Sequence, residues 1–320
     1  MFLKNGLIAA VMSAVAFTAA PVLADDYPSD TITIIVPSRP GGSIDRVARS
    51  VQKYLGDALG TAVNVENVPG AGSKIGVSKF TEAAPDGHTL LVHFSPGIVQ
   101  VKLDDPDLAG LGEMAVINAP WSDPGILVGQ PGRWETLADF VAEAREKPGT
   151  ITFGSSSPQA LGSMLAFNLF DQLGLDIKVV PYDGGGETRS AFLGGLVDLT
   201  AAGAGGALRI KDQSTPLALF WNEPVAGWDD APLIADALEG LDAKPVAGAA
   251  VRFLATHKAF AENNPDGFAK LAAALEQVSQ NPDYIANAKE TKVGADWLGP
   301  EAAAELVNAQ ALEFEPILRK

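Results

Sequence analysis

Along this chain an apolar strand pattern runs repeatedly into a short loop of Gly, Pro and Ser, and then into a helix pattern. The unit occurs at 31–59, 62–84, 151–173 and 177–196. Such alternation confines the chain to a layered α/β architecture with largely parallel sheets, since each helix carries the chain back to the start of a neighbouring strand. Strand patterns lie at 31–36, 62–67, 89–94, 115–118, 126–128, 151–154, 177–182, 198–201, 217–221 and 249–255. Helix patterns lie at 43–59, 74–84, 136–146, 160–173, 187–196, 265–280, 282–291 and 300–318. The helix at 43–59 is the clearest. Ile44, Val47, Ala48, Val51, Tyr54, Leu55 and Leu59 recur at three- and four-residue intervals and form one apolar stripe. Gly60 stands where a left-handed, helix-ending residue belongs. The last three helix patterns begin at or beside Pro265, Pro282 and Pro300, which suit a first turn whose N–H groups have no helical partner.

Residues 1–24 form a separate piece. Lys4 supplies the positive start, an apolar stretch follows, and Val22-Leu23-Ala24 is a small-residue cleavage site, the pattern of a secretory signal peptide cut after Ala24. The mature chain is therefore expected to be exported. Without Lys4 the chain keeps 22 basic against 39 acidic residues, a net charge of −17. That field disfavours nucleic acid and anionic membrane as partners, and an anion site must be polarised locally. The chain has no cysteine and three histidines, His88, His93 and His257, with no HExxH or CxxC spacing. No metal or other cofactor is expected. His93 reads as structural and His88 as exposed.

The length fits two lobes. Stretches rich in Pro, Gly and Trp at 119–132 and 221–232 read as the crossings between them. The expected division is 25–122 with 223–320 for the first lobe and 123–222 for the second.

Four loops carry the chemistry. In the first, Pro37 to Asp45, Gly41 and Gly42 permit a tight turn and close backbone approach, Ser43 reads as the helix N-cap and Asp45 suits the first turn. Free amides at such a helix start bind anions. Arg39 and Pro40 precede the glycines; Arg39 is either a clamp for a carboxylate or a solvated loop residue. As a clamp it would hold a second anionic or strongly polar group of the ligand. Arg46 and Arg49 flank the apolar stripe and read as solvated.

The second loop, Pro69 to Gly76, contains Ala71, Gly72 and Ser73. Its spacing is GxGxxxG rather than GxGxxG, and the next strand ends at Phe94-Ser95-Pro96 without the acidic residue a dinucleotide site needs. The third offers Ser155, Ser156 and Ser157, and the fourth Tyr182, Asp183, Gly184, Gly185 and Gly186. A nucleophilic serine would need a general base beside it, and no GxSxG elbow is present. An exported hydrolase using a loop serine stays open as an alternative to a binding module, as does an adaptor for a membrane sensor.

In order along the chain, "YPSDTITIIVPSRPGGSIDRVAR", "VNVENVPGAGSKIG", "AAPDGHTLLV" and "VVPYDGGGETRSAFLGGLVDLTAAG" resemble the periplasmic solute-binding proteins of tripartite tricarboxylate transporters, the TctC or Bug group. The resemblance implies an α/β, two-lobed periplasmic-binding-protein (Venus flytrap) architecture with a ligand cleft between the lobes. It implies a monomeric, non-catalytic protein that binds a small organic carboxylate and delivers it to membrane permease subunits. Carried over by position, the ligand lies between Arg39–Asp45 and Ala71–Ser73 of the first lobe, with Ser95. Ser155–Ser157, Gly162 and Ser163, and Tyr182–Gly185 face it from the second. Main-chain amides and ordered waters around the first Gly-Gly loop would hold one carboxylate. The chain departs from the family pattern at Arg39, usually small or apolar, at Asp183, commonly lysine, and at Met164, near a usual histidine.

Overall fold

One strand organises the fold. The computed structural model describes residues 27–158 and 160–319, so the expected signal segment and its cleavage site lie outside the described residues. The chain opens with β1 (Ile32–Val36), α1 (Ser43–Leu59), β2 (Val63–Asn67), α2 (Lys74–Glu82), β3 (Thr89–Ser95) and α3 (Gly97–Asp104). Then comes β4, a single strand from Met114 to Gly129. After it run α4 (Leu137–Glu146), β5 (Thr152–Ser155), α5 (Leu161–Leu173), β6 (Lys178–Pro181), α6 (Gly185–Leu193), β7 (Leu199–Gly203), α7 (Ala204–Ala207), β8 (Thr215–Phe220) and α8 (Ile234–Ala237). The chain closes with β9 (Ala249–His257), α9 (Lys258–Asn263), α10 (Pro265–Gln280), α11 (Pro282–Thr291) and α12 (Gly299–Leu318).

The first part of β4 pairs antiparallel with β9, from Met114 opposite His257 to Pro124 opposite Ala249. From Gly125 onward the same strand pairs antiparallel with β7 on one side and β8 on the other. The strand order is β2-β1-β3-β9-β4-β7-β5-β6. The sheet is therefore mixed rather than largely parallel. Two parallel trios, β2-β1-β3 and β7-β5-β6, are joined through antiparallel β9 and β4. The strand patterns at 115–118 and 126–128 are the two ends of β4, and the Pro-rich stretch between them continues the strand. Register shifts around Asn118 and Trp121 bend it there, as bulges do.

Each trio is covered by helices on both faces, which explains why its strands are apolar nearly throughout. Ile32, Ile34, Val36, Leu90 and Val92 pack under the α1 stripe of Val47, Val51 and Leu55 and against Leu271, Leu275 and Val278 of α10. Ile35 and Leu91 face Val77, Phe80, Ile98 and Val307 on the other side. In the second lobe Leu127, Phe153, Leu199 and Leu217 pack on Phe140, Leu165, Leu169 and Phe170, while Ile126, Val128 and Leu219 pack on Phe192 and Trp228. Full burial of one such side chain contributes about 1.5–3 kcal/mol.

The segment 223–248 packs with the second trio. Trp228 and Ala231 lie against Ile126 and Val128, and Ile234 and Leu238 against Leu217 and Phe220. Gly248 donates its N–H to Phe220 O (2.8 Å), and its carbonyl accepts from Gly125 N (3.0 Å). Helix α12 reaches both lobes, with Ala303 and Val307 in the first core and Phe314 in the second. Gly60 ends α1 at φ 69°, donating to Gly56 O. Asn264 and Asn281 cap α10 and α11, each with proline in the first turn. Four further helices, α3, α7, α8 and α9, lie where no helix pattern was read.

Candidate functional site

The loops after β1 and β2 form one unit. The Asp45 carboxylate is buried and accepts from Gly41 N (2.7 Å), Asn67 Nδ2 (2.8 Å) and Arg49 Nε (3.0 Å). Asn67 Nδ2 also donates to Ser38 O (3.1 Å), and Arg49 Nη2 to Asn67 Oδ1 (2.8 Å). Burial works against the charge on Asp45, but the hydrogen bonds from Gly41, Asn67 and Arg49, with the charge of Arg49, hold its carboxyl below the ordinary range. Asp45 thus fastens the loop, and Arg49 is tied into this network while staying exposed, as its sequence position led one to expect. The N-cap of α1 is Gly42, not Ser43, and it makes no side-chain cap. Only Gly41 takes a positive φ (+84°). Gly42 is extended (φ −69°, ψ 172°), and a Cβ there would meet only ordinary contacts at 3.5 Å.

Four successive residues after β2 are left-handed: Gly70 (φ 129°), Ala71 (47°), Gly72 (65°) and Ser73 (79°). For Ala71 and Ser73 this costs about 1–3 kcal/mol each, a strain of the kind kept at ligand clamps. Ser73 Oγ donates to Pro37 O (3.0 Å), joining this turn to the first loop. A Cβ on Gly76 would stand 2.7 Å from Pro37 Cβ, so the two loops approach as closely as backbone permits. Ser95, at the end of β3, is fully buried, and its Oγ has no partner among the described residues.

In the second lobe the Ser155 and Ser163 hydroxyls bond each other at 2.9 Å, both buried. Gly162 lets α5 lie on β7: a Cβ there would stand 2.5 Å from the Ala201 carbonyl carbon. Ser156 and Ser157 are half-buried at the turn, and Met164 is buried. Ser155 O accepts from Tyr182 N (2.8 Å), which sets the fourth loop beside the third. Gly184 takes φ 112° and α6 starts at Gly185, earlier than its sequence pattern, so the Gly185 and Gly186 amides belong to its first turn.

The lobes meet across these loops. Arg39 Nη2 donates to Asp183 Oδ2 at 2.9 Å, with both side chains about two-thirds exposed. Pro40, Gly41, Gly42 and Ser43 follow Arg39 in sequence, and Gly184 and Gly185 follow Asp183. Arg39 thus forms an exposed ion pair with the opposite lobe.

Sequence reasoning missed a set of arginines. Arg46 is half-buried, not solvated: its Nη1 donates to Thr291 O (3.0 Å), its Cζ lies 5.7 Å from the Trp121 ring centre, and its Nε is buried without a partner among the described residues. Burial first, then the charges of Arg209, Arg252 and Arg189, pushes its guanidinium down to about 10, with Asp123 pulling the other way. Arg252 stacks on the same ring at 4.0 Å and pairs with buried Asp123 at 3.2 Å. Asp123 also accepts from Gly205 N at 2.8 Å. Half-buried Arg189 and exposed Arg209 have no ion pair or side-chain hydrogen bond among the described residues. No sequence signal could have gathered these residues, because they come from four separate elements.

The histidines stand apart. His93 is fully buried, and burial pushes it down to about 4; its Nδ1 lies 3.1 Å from Phe94 O. His88 is mostly covered, with Nε2 accepting from Ser29 N (3.1 Å) and Asp30 N (3.2 Å). His257 Nε2 lies 2.8 Å from Phe80 O. Among the described residues, none of them hydrogen-bonds Ser155 or Ser163. Also among these, no helix is long and apolar enough to cross a membrane.

Comparisons with known proteins agree with this architecture. The family described as tripartite tricarboxylate transporter family receptor, TctC, matches residues 47–296. Protein BugT of Bordetella pertussis is 36% identical over 194 residues, covering 58% of this chain and 59% of BugT. The chain thus spans under two thirds of the first curated relatives it matches, 58% and 59% of their lengths. MatC from Rhodopseudomonas palustris with bound malate superposes at TM-score 0.76 with 22% identity, covering 91% of this chain and 100% of MatC. An R. palustris protein with adipate gives TM-score 0.76 at 19% identity, covering 92% and 98%. At those identities the likeness speaks to the fold, which is the two-lobed one of periplasmic binding proteins. With the family model matched over most of its length, the chain belongs to the tripartite tricarboxylate transporter family receptors, TctC.

Proposed function

We propose that this protein is exported to the periplasm, closes its two lobes on a small organic carboxylate, and presents it to the membrane subunits of a tripartite transporter. The observation that carries the reading is the meeting of two helix-start loops from opposite lobes, with Arg39 and Asp183 in contact at 2.9 Å. Next to that contact in sequence, the amides of Gly42 and Ser43 and the left-handed Gly70–Ser73 turn offer donors from one side, and those of Gly184–Gly186 from the other. The malate and adipate bound by structurally similar proteins support a carboxylate as the ligand. In this reading Asp45 positions the first loop rather than touching the ligand, and Ser155–Ser163 and Gly162 set the packing of α5.

We place the lobe boundaries at 124/125 and 248/249. The partner change within β4 and the packing of Trp228 and Ile234 support this, and 223–248 then belongs to the second lobe.

The test is a thermal-shift screen of the mature chain against mono-, di- and tricarboxylates, including aromatic acids. A ligand at about a hundred times its dissociation constant adds about 2.7 kcal/mol to the folded state. At least one carboxylate should raise the melting temperature saturably and remain chemically unchanged. A panel without any shift, or turnover of the bound compound, would overturn the reading.

A further inference from the structure

The two crossings between the lobes meet at one peptide. Past the last pair of β4 with β9, Pro124 opposite Ala249, Gly125 N donates to Gly248 O at 3.0 Å. At the other end of that peptide, Ala249 N donates to Gln310 Oε1 of α12 at 3.3 Å. The 248–249 peptide is thus held by its carbonyl to the other crossing and by its N–H to a buried side chain. Neither Gly125 nor Gly248 takes a positive φ, so each is glycine for space. A Cβ on Gly125 would stand 2.5 Å from Leu165 Cδ1, and one on Gly248 would fall on the edge of the fully buried Phe314 ring.

Helix α12 brings both side chains to this point. Ala303, Val307, Gln310 and Phe314 recur at intervals of four, three and four and share one buried face. A glutamine within that face is costly unless bonded, and Gln310 is bonded at both ends, with Nε2 donating to Glu313 Oε2 at 3.1 Å. Ala303 and Val307 sit in the first-lobe core, and Phe314, with Ile317 and Leu318 beside it, in the second. A helix does not stretch, and the rise from Val307 to Phe314 is fixed at about 10 Å. Turning one lobe about Gly125 and Gly248 moves one seat against the other, and rotation at Gly248 swings the Ala249 N–H away from Gln310. Both seats are therefore filled together in one disposition of the lobes. That disposition is the one in which Arg39 reaches Asp183 at 2.9 Å.

We infer that α12 is a clamp on the hinge: Gln310 and Phe314 fix the 248–249 peptide and favour the closed disposition of the lobes. Neither residue belongs to the loops of the candidate site. The clamp acts on the balance between open and closed lobes, whatever the cleft binds.

The chain has no cysteine, so exposed Asp57 on α1 and Glu146 on α4 can be changed to cysteine and spin-labelled in the mature protein. Double electron–electron resonance, with no ligand added, then reads the separation of the lobes. The parent pair should populate the separation set by the closed lobes. Gln310→Leu and Phe314→Leu should each lower that population by about threefold or more, in favour of a longer separation. Phe140→Leu is the control: it truncates an equally buried ring, packed on Trp134 and Phe170, and should leave the distribution unchanged. Melting curves establish that each variant is folded. A distribution unmoved in both α12 variants, an equal shift in Phe140→Leu, or a parent pair found only at the longer separation would overturn the clamp. Each of those results leaves the carboxylate-binding role standing, since no ligand enters the measurement. A carboxylate panel without a hit removes that role and leaves the clamp.

Discussion

Arg39 and Asp183, 144 positions apart, are joined at 2.9 Å across the mouth of the cleft, and each stands where the resemblance to the family leads one to expect a different residue. The pair is an attractive contact between the helix-start loops of opposite lobes.

Because both side chains are about two-thirds exposed, the pair contributes little to stability, about 0.2–1 kcal/mol. A double-mutant cycle with Arg39→Ala and Asp183→Ala should return a coupling in that range for unfolding. It should appear mainly as faster ligand release, up to about fivefold, measured by stopped-flow. Asp183→Lys sets two cations opposite each other and should release ligand faster still. Equal release rates in all variants would mean that the pair does not act on closure.

Gly41 and Gly42 should respond differently to alanine. At φ +84° an alanine costs about 1–2 kcal/mol, whereas Gly42 is extended and has room for a Cβ. Urea unfolding should therefore show Gly41→Ala destabilised and Gly42→Ala within about 0.5 kcal/mol of wild type.

Asp45→Asn should loosen the first loop and destabilise the protein by about 1–3 kcal/mol at neutral pH, because Arg49 and Gly41 lose a charged acceptor. The folded carboxyl lies below its ordinary value of 3.8. Its stabilising effect is therefore fully present above that value and is lost as pH falls through the folded value. Wild type and Asp45→Asn should converge in stability under acid, read by urea unfolding at successive pH values.

His93 has the same sign for a different reason. Burial lowers it from 6.5 to about 4, so below pH 6.5 the unfolded chain takes up a proton that the folded one refuses. Stability should fall between pH 6.5 and 4 by up to about 3 kcal/mol on this account. His93→Leu should remove that dependence, whatever its effect at pH 7. A wild-type stability flat across this range would contradict the assignment.

What could be read from the chain was what is local. The α1 stripe, its Gly60 cap, the proline starts of the later helices and the four strand–loop units all have short-range causes, and each lies close to where the pattern put it. β4 was illegible as one strand because Pro120 and Pro124 interrupt it. Both are accommodated where its register shifts or its partners change. Helix α3, Gly97–Asp104, has valines and an isoleucine that carry no helical signal alone. In the site, the glycine loops were visible, but the left-handed turn at Ala71 and Ser73 was not, since neither residue favours positive φ. Arg46 looked solvated because nothing near it in sequence reveals Trp121, Thr291 or the arginines of the other lobe.

The central claim is that both lobes donate backbone amides to one bound carboxylate. Hydrogen–deuterium exchange of the mature chain, with and without the tightest-binding carboxylate of the screen at saturation, measures this directly. Slowed exchange is predicted together at Gly42–Ser43, at Gly72–Ser73 and at Gly185–Gly186, on loops of opposite lobes. Protection confined to one lobe, or none at these amides while ligand is bound, would contradict the account.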